Sequence, residues 1–251
     1  MKNITGENNK LVFVLKEGSE VTEFTGKEIE LLENFSLVVQ GNNNMVTIKV
    51  DKRDDIEKFL NKKGLAVYMF GHNNTVNIGK LLCPTNPALG LTGLAINIGN
   101  PPEDTIEPGV NRYASNCNIN IGDNVIVCGA RLFLQDDNSS ISIGNDCMIS
   151  WGIDIWCTDV HTITDLEGNP LNFGKSIEIG NHVWIGRDVK IGKNTKISDN
   201  SIVGWASVVT KKFDEPNVIV AGNPARIVKR EINWDFHDLQ NYQLNRMKKN
   251  C

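Results

Sequence analysis

The chain has no run of apolar residues approaching the roughly 18 to 20 that a membrane-spanning helix needs. Its first residues, 1–7, also lack the apolar core of a secretory signal peptide. Positive charge is not in excess, because 26 Lys and Arg stand against 30 Asp and Glu. General nucleic-acid binders depend on clustered Lys and Arg. These absences predict a protein with no membrane span and no nucleic-acid partner.

Cysteines are few and scattered, and the six of them form no CxxC pair and no compact cluster. Disulfide frameworks of small secreted domains depend on such spacing, so we expect reduced thiols, several of them packed inside. Together with the missing signal-peptide core, this predicts a cytoplasmic protein. The cysteines are Cys83, Cys117, Cys128, Cys147, Cys157 and Cys251.

The sequence does contain a strong internal repeat with a period of six. From Ile179 an Ile or Val recurs at every sixth residue, and a second series lies two positions before each member. Such a period fits neither an amphipathic helix nor a long alternating strand. It predicts short strands joined by turns, three to a coil of about 18 residues, with aliphatic side chains stacked inside and a following glycine absorbing the turn conformation. The two series are Ile179, Ile185, Ile191, Ile197, Val203, Val209 and Ile177, Val183, Val189, Thr195, Ser201, Ser207.

The same register continues upstream and leads to a histidine. The position six residues after Ile155 is occupied by His161, and the register resumes eighteen residues later at Ile179. The segment Thr162–Ser176 is therefore predicted to be a loop extruded from an otherwise regular coil. Loops on rigid scaffolds often carry function. The upstream members are Ile121, Val127 and Phe133, followed by Ile143, Ile149 and Ile155.

The N-terminal part repeats a different motif, Gly-x-Asn-Asn followed by alternating apolar residues, at 6–9, 41–44 and 71–74. Asn and Gly tolerate left-handed turn conformations. Each motif therefore predicts a tight turn that feeds a strand, such as Met45–Val50 or Thr75–Ile78.

These patterns divide the sequence into four segments. The first is predicted to be an irregular β-solenoid or β-rich domain with a short helix over 54–61, and the second an irregular, proline-rich connection. The third holds the hexads, and the fourth is a tail in which Asp235–Lys249 can form a helix. The segments are 1–82, 83–114, 115–230 and 231–251.

Three blocks of the hexad region are specific: WIG at 184–186, GWASVV at 204–209 and AGNPAR at 221–226. With Asp159–His161 before them, they resemble the hexapeptide-repeat acyltransferases, in the branch that O-acetylates sugars, capsule, lipopolysaccharide and sialic acid. The resemblance covers roughly residues 115–230. It implies an all-β fold, the left-handed parallel β-helix, with acetyl-CoA as cosubstrate and a carbohydrate acceptor. It also implies a homotrimer whose active sites lie between subunits.

The resemblance maps the family's catalytic histidine onto His161. Transfer of an acetyl group to a sugar hydroxyl needs a base, and a largely neutral histidine serves at cellular pH. Direct attack on the thioester, without an acyl-enzyme, is expected. A base works better when its second nitrogen is held. Asp159 is the first candidate for that contact, and Asp154, Asp165 or a backbone carbonyl are the alternatives.

Trp184 is a further candidate for catalysis and for acceptor binding. Both of its neighbours belong to the inner ladders, so its side chain is expected to point outward, where an indole can hold a sugar face. Burial in a trimer contact is the alternative. Trp151 and Trp205 are also available to shape a carbohydrate site. The predicted acceptor-binding residues are Trp156, His182 and Trp184.

The resemblance also places acetyl-CoA in a groove between adjacent subunits. Small residues leave room for its pantetheine amides, a proline turn packs near its adenine, and basic side chains suit its phosphates. Arg187 departs from the family, in which the residue after WIG is often small or carries a hydroxyl. It is assigned to the cofactor, an acidic acceptor or the thioester carbonyl, and a backbone N–H is the alternative group for polarising that carbonyl. The predicted cofactor residues are Arg187, Gly204, Ala206, Ser207, Lys211, Lys212, Asn223, Pro224, Arg226 and Lys229.

Three alternatives remain open at this point. An N-acetyltransferase for an amino sugar would use the same histidine base. A metalloenzyme of the γ-carbonic-anhydrase type needs three histidine ligands, whereas the coil region contains only His161 and His182, so no metal is predicted. A non-catalytic β-solenoid would keep the ladders but would not need His161.

Overall fold

The protein is described by a computed structural model that covers residues 2–15, 21–25, 36–51, 56, 64–82, 93–100 and 113–249. The predicted helix over 54–61 lies outside these residues, apart from the buried Ile56. Most of the predicted proline-rich connection, at 83–92 and 101–112, lies outside them as well.

The described chain is built from short strands and one C-terminal helix. The N-terminal strands are β1 (Lys2–Thr5), β2 (Lys10–Leu15), β3 (Val21–Thr25), β4 (Ser36–Gln40), β5 (Met45–Val50), β6 (Leu65–Phe70), β7 (Thr75–Ile78) and β8 (Gly93–Ile98). The middle strands are β9 (Asn118–Ile121), β10 (Ile126–Val127), β11 (Gly129–Leu134), β12 (Ser140–Ile143), β13 (Met148–Ile149) and β14 (Ile153–Trp156). Those that follow are β15 (Ser176–Ile179), β16 (Trp184–Ile185), β17 (Lys190–Ile191), β18 (Thr195–Ile197), β19 (Ile202–Val203), β20 (Val208–Val209), β21 (Lys212–Phe213), β22 (Ile219–Gly222) and β23 (Ala225–Lys229), and the helix is α1 (Leu239–Lys249).

The strands form three sheets, and each strand pairs with strands one coil earlier and later. The first sheet has the order β1-β4-β6-β8-β11-β14-β17-β20, the second β10-β13-β16-β19-β22-β23, and the third β21-β18-β15-β12-β9-β7-β5-β2-β3. Among the described strands all pairings are parallel except β2–β3 and β22–β23, which are antiparallel. The chain is therefore a solenoid whose three sides are parallel sheets in the hexad region.

The predicted ladders and coil length are confirmed. Every member of both hexad series is buried, and so is every upstream member. Phe133 is nevertheless not part of the inner ladder, because it pairs with Trp156 and lies outside the core cluster. Leu132, which pairs with Ile155, holds the ladder position instead. Ile179 pairs with Ile197, one coil of 18 residues later, whereas Ile143 pairs with Ile179, 36 residues later. The longer coil contains 18 extra residues and leaves the register intact, as the sequence predicted.

The turn conformation is not carried by the glycines that follow the aliphatic residues, so that prediction is wrong. In the series from Ile179 to Val203 the left-handed residue lies three positions after each aliphatic residue, for example at His182, with φ 53°, and at Asn200, with φ 57°. Two of the glycines, Gly180 and Gly186, are needed for space instead. A Cβ on Gly180 would lie 2.2 Å from the Asp199 carboxylate, and one on Gly186 would lie 2.7 Å from the Trp205 ring.

The three Gly-x-Asn-Asn motifs of the N-terminal part stack on one another. Buried Asn44 donates its side-chain amide to Asn9 Oδ1 (3.1 Å), and its own Oδ1 accepts the Asn74 N–H (3.1 Å). Cys117 continues this column by donating its N–H to Asn74 Oδ1 (2.9 Å). The strands predicted after the second and third motifs, β5 and β7, have the predicted bounds.

Two segment predictions need correction. The predicted irregular connection contains β8, a regular strand of the first sheet between β6 and β11. The C-terminal helix begins at Leu239 rather than at residue 235. The helix begins there because Asp238 is its N-cap: Asp238 Oδ1 accepts the N–H groups of Gln240 and Asn241, both at 3.0 Å. No helix in the described part of the chain is long and apolar enough to cross a bilayer.

Candidate functional site

The predicted extruded loop leaves the solenoid between β14 and β15, over residues 157–175. Its two arms are joined by a bridge between Thr164 and Pro170 and by the Leu171 N–H, which donates to Ile163 O at 2.8 Å. The loop begins earlier and ends earlier than the predicted 162–176. His161 is therefore an exposed loop residue rather than the last position of the inner ladder.

His161 follows an unusual backbone turn. Its N–H donates to Asp159 O at 2.6 Å, and Val160 between them has φ 65°. This is a γ-turn with a left-handed central residue, a conformation that β-branched residues rarely adopt. Such a residue costs about 1–3 kcal/mol and persists only where the surroundings hold it. The turn therefore fixes the direction in which the His161 side chain leaves the loop.

His161 lines a cavity of about 530 Å³ between the loop and the coil before it. The imidazole ring makes no hydrogen bond to any residue in the described part of the chain, so a ring nitrogen is available to an incoming hydroxyl group. Polar groups dominate the walls. The other lining residues are Tyr113, Gln135, Asp136, Asp137, Asn138, Thr158, Asp159, Val160, Thr162, Pro170, Asn172, Phe173 and Gly174.

Asp159 does not hold the His161 ring. Its Oδ2 instead accepts hydrogen bonds from Asn172 Nδ2 (2.8 Å) and from Lys193 Nζ. Burial opposes its ionisation, but the hydrogen bonds from Lys193 and Asn172 and the charge of Lys193 outweigh burial and lower the pKa of Asp159. Asp159 is therefore an anion that fixes the backbone around the histidine.

The two other carboxylates considered for the ring contact are also engaged elsewhere. Asp154 forms ion pairs with Arg131 (2.7 Å) and Lys190 (2.6 Å). Asp165 accepts backbone N–H groups of its own loop, from Glu167 at 2.9 Å and from residue 169 at 2.8 Å.

Asp136, a residue that the sequence did not single out, anchors both ends of the loop. Its Oδ2 accepts the Gly174 N–H (2.8 Å), and its Oδ1 accepts the Thr158 hydroxyl (3.3 Å). A Cβ on Gly174 would lie 2.3 Å from Cys157 O, so only glycine fits where the loop rejoins the coil. No local pattern in the sequence identifies Asp136 for this task.

Trp184 and His182 lie outside the His161 cavity in the described chain and face the C-terminal tail. Trp234 stacks on the His182 ring, with centroids 4.3 Å apart and planes at 11°, and its indole N–H donates to His182 O at 2.8 Å. Half-buried Trp184 lies 6.1 Å from Trp234, centroid to centroid. A separate cavity of about 460 Å³ adjoins this aromatic cluster. The third predicted acceptor residue, Trp156, packs edge-on against Phe133 on the first sheet (5.2 Å).

Several predicted cofactor residues share one edge of the solenoid. The Ala206 N–H donates to Arg187 O (2.9 Å), which stacks two successive corners. Ser207 Oγ donates to Gly204 O (2.7 Å) and accepts the Gly222 N–H (3.1 Å), which ties the next turn to the same edge. Ser207 is fully buried, so its side chain fills the coil and does not face a surface groove. Asn223 and Pro224, joined by a cis peptide bond, complete the edge.

The predicted basic cluster is divided between two places. Lys211 and Lys212 lie at the following corner, where Lys211 Nζ is 5.3 Å from the centre of the Phe213 ring. Arg226 and Lys229 are exposed on the terminal strand β23. No group of three or more His, Cys, Asp or Glu side chains positioned to hold a metal ion occurs among the described residues.

The structure is similar along its whole length to the polysialic acid O-acetyltransferase OatWY, with 26% identity, a TM-score of 0.67 and coverage of 100% of this chain and 98% of that chain. The solved structures that this chain resembles are hexapeptide-repeat acetyltransferases, in agreement with the resemblance that the sequence motifs indicate. The polySia specific acetyltransferase NeuO matches with 22% identity, a TM-score of 0.58 and coverage of 98% and 97%. A galactoside acetyltransferase in complex with coenzyme A matches at 30% identity over 58% of this chain and 70% of that chain, with a TM-score of 0.37. No protein-family model and no curated protein sequence matches the chain.

The parallel sheets of short strands and these structural neighbours confirm the left-handed parallel β-helix that the resemblance implied. The chain departs from the family's usual pattern at Arg187, whose exposed side chain lies beside Asp188 (Nε to Oδ2, 3.4 Å). The groups that sequence reasoning missed are Asp136, Asn172, Lys193 and Trp234. Each acts on a residue at least 11 positions away, and periodicity carries no information about such contacts.

Proposed function

We propose that this hexapeptide-repeat protein transfers the acetyl group of acetyl-CoA to a hydroxyl of a carbohydrate, and that the acceptor is a sialic-acid-type glycan. The observation that carries this proposal is the similarity to the polysialic acid O-acetyltransferase OatWY, which extends through the N-terminal coils as well as the hexads. A match confined to the hexads would indicate acetyl transfer without indicating the class of acceptor.

In the proposed mechanism His161 is the general base. As the acceptor oxygen attacks the thioester carbonyl, a ring nitrogen of His161 takes the hydroxyl proton. Collapse of the tetrahedral adduct expels the thiolate of coenzyme A, and the same nitrogen returns the proton to that sulfur. Burial raises the pKa values of Cys147 and Cys157 to about 11, so these thiols are not available as acyl-accepting thiolates. That supports direct transfer.

The edge formed by Arg187, Gly204, Ala206 and the Asn223–Pro224 turn is the proposed place for acetyl-CoA. Backbone groups at these corners are accessible to an amide-bearing chain, because the residues are small or exposed. The exposed Arg226 and Lys229 beside this edge suit the cofactor's phosphates. Lys211 and Lys212 lie on the next corner of the solenoid. We assign them to the cofactor's phosphates as well, for a bound acetyl-CoA that extends from the first edge to this corner.

We also propose a homotrimer with active sites between subunits, and the exposed surface of the loop supports this assembly. The loop that carries His161 has four exposed apolar residues, each with a relative solvent-accessible surface of 56% or more. They are Ile163, Leu166, Leu171 and Phe173. Apolar side chains gathered in this way are typical of surfaces that another subunit covers. A second copy that covers the loop would also bring its own Trp184 or Arg187 edge toward His161, so that the proposed base and cofactor residues meet across the interface.

The donor, acetyl-CoA, and the buried reduced thiols Cys117, Cys147 and Cys157 agree with a cytoplasmic location.

The test is release of free thiol from acetyl-CoA with a panel of sialic acid polymers, neutral capsular oligosaccharides and amino sugars. We expect release with the sialic-acid-type acceptors and a turnover about 10² to 10⁴ lower for His161→Ala. His237→Ala, which changes an exposed histidine of the tail, serves as the matched control. Release with amino sugars only would replace the proposal with N-acetyl transfer. Turnover unchanged in His161→Ala would remove the base assignment.

A further inference from the structure

We infer that Asn172 and Lys193 are positioning residues for His161: through Asp159 and the loop backbone, they hold the strained turn that aims the imidazole into its cavity. This inference rests on the proposed function, in which His161 is the base, and adds two residues that act on it without touching substrate.

Asn172 contacts both sides of the histidine. Its Nδ2 donates to His161 O and to Asp159 Oδ2, both at 2.8 Å, and its Oδ1 accepts the Ile163 N–H at 2.8 Å. One amide therefore binds the residues two before and two after His161, and His161 itself. The amide provides two N–H donors and an oxygen acceptor on one group, so neither an ionised carboxylate nor an aliphatic side chain of the same size can make this set of bonds.

Lys193 connects this clamp to the rigid part of the molecule. It lies at the corner between β17 and β18, and only 17% of its side chain is exposed. Its ammonium donates to Asp159 Oδ2 and to the Asn172 backbone carbonyl. The neighbouring Asn194 donates its side-chain amide to Phe173 O (3.1 Å) and accepts the N–H of residue 175 (3.0 Å). The return arm of the loop is thus attached to the next coil, whose corners are fixed by the inner ladder.

The turn at Val160 explains why such a network is needed. A left-handed β-branched residue relaxes to an ordinary conformation unless its surroundings prevent it, and relaxation at Val160 would rotate the following residue. His161 makes no side-chain hydrogen bond within the described residues, so the direction of its ring depends on the backbone of this turn, which Thr158 also supports by accepting the Val160 N–H (3.0 Å). A displacement of about 1 Å in a reacting group can reduce turnover by about 100-fold.

Two substitutions test the inference, each with a control matched in type and place. Lys193→Met and Asn172→Leu remove the polar groups at similar side-chain volume. Lys190→Met removes a lysine of the same coil that pairs with Asp154, and Asn169→Leu removes an asparagine of the same loop that binds Asp165. We expect kcat to fall about 10- to 100-fold in the first pair, with the KM for acetyl-CoA within about twofold of wild type. The controls should retain wild-type kcat, and Lys193→Arg should recover most of the loss.

A second readout separates this inference from the proposed reaction. The imidazole proton signals of His161 are assigned by NMR from their absence in His161→Ala. We expect them to shift or broaden in Lys193→Met and Asn172→Leu and to stay unchanged in both controls. Wild-type kcat together with unchanged His161 signals in the first pair would overturn the inference, as would equal losses in the controls. If the wild type transfers acetyl to no acceptor, the proposed function fails and the signals still decide whether these residues position His161.

Discussion

The N-terminal coils and the hexad coils build the same solenoid by different means. In the most regular hexad coils, from β15 to β20, paired strands are 18 residues apart and the corners repeat a short pattern. In the N-terminal coils the strands β2, β5 and β7 are separated by 35 and then 30 residues, and the corners are columns of Gly and Asn. One hydrophobic core runs through both regions. A regular aliphatic ladder can therefore be replaced by a column of amide hydrogen bonds, provided that glycines allow the backbones to approach.

The largest effect that this comparison predicts is from Gly71→Ala. Gly71 has φ 140°, and a Cβ there would lie 1.9 Å from the backbone oxygen of Ala114. We expect a loss of about 4 kcal/mol in the free energy of unfolding, because both the conformation and the space exclude a side chain. Gly192→Ala is the hexad control, since a Cβ there meets its nearest atom at 3.6 Å and φ is not left-handed. Denaturant unfolding measures both, and similar losses would contradict the distinction between the two kinds of corner.

A smaller effect is expected from breaking the buried column with Asn44→Ala. This change leaves the Asn74 N–H and the carbonyl of Gly71 without their partner in a buried place, at a cost of about 3 kcal/mol. The matched change is Asn43→Gly, in the exposed column one position earlier, where water replaces the lost bonds and glycine keeps the left-handed φ of 59°. We expect less than about 0.5 kcal/mol there. Equal losses would show that the buried column is not what replaces the ladder.

The smallest expected effect is a loss of folding stability at alkaline pH, caused by a buried cysteine of the hexad coils. Burial raises the pKa of Cys147 from 9.0 to about 11. Its stabilising contribution is therefore complete below pH 9 and is lost as pH rises toward 11, because only the unfolded state ionises in that interval. Between pH 8 and 10 this thiol should account for about 1 kcal/mol of lost stability. Cys147→Ala should give a flatter dependence on pH over that range, and an unchanged slope would count against the burial of the thiol.

The parts of the fold that sequence could predict are those in which residue type reports burial directly. An Ile or Val at every sixth position has one arrangement that buries all of them, so the ladder, the coil length and the 18 extra residues followed from Ile143, Ile179 and Ile197. The role of the glycines could not be predicted, because a lack of space for a side chain and a left-handed φ both place a glycine in the sequence. Only the positive φ of His182 and its counterparts separates the two.

The candidate site was predicted in part. His161 was recognisable because it interrupts a ladder before a loop of one coil length. The partner of Asp159 was not, because Lys193 is 34 residues away and nothing periodic connects them. The buried position of the Ser207 hydroxyl was not predictable for a related reason, since a small polar residue looks alike in sequence whether it faces a groove or satisfies a buried carbonyl. Polar contacts between coils have to be read from the structure.

The two antiparallel hairpins have a consequence for the length of the molecule. A parallel solenoid offers each new coil the same template, and so it can in principle be extended without limit or joined end to end into fibres. Here β3 runs against β2 at one end of the third sheet, and β23 runs against β22 at the opposite end of the second. A strand of reversed direction does not present the register that another copy would continue. These hairpins therefore oppose parallel extension at one edge of the third sheet and at one edge of the second.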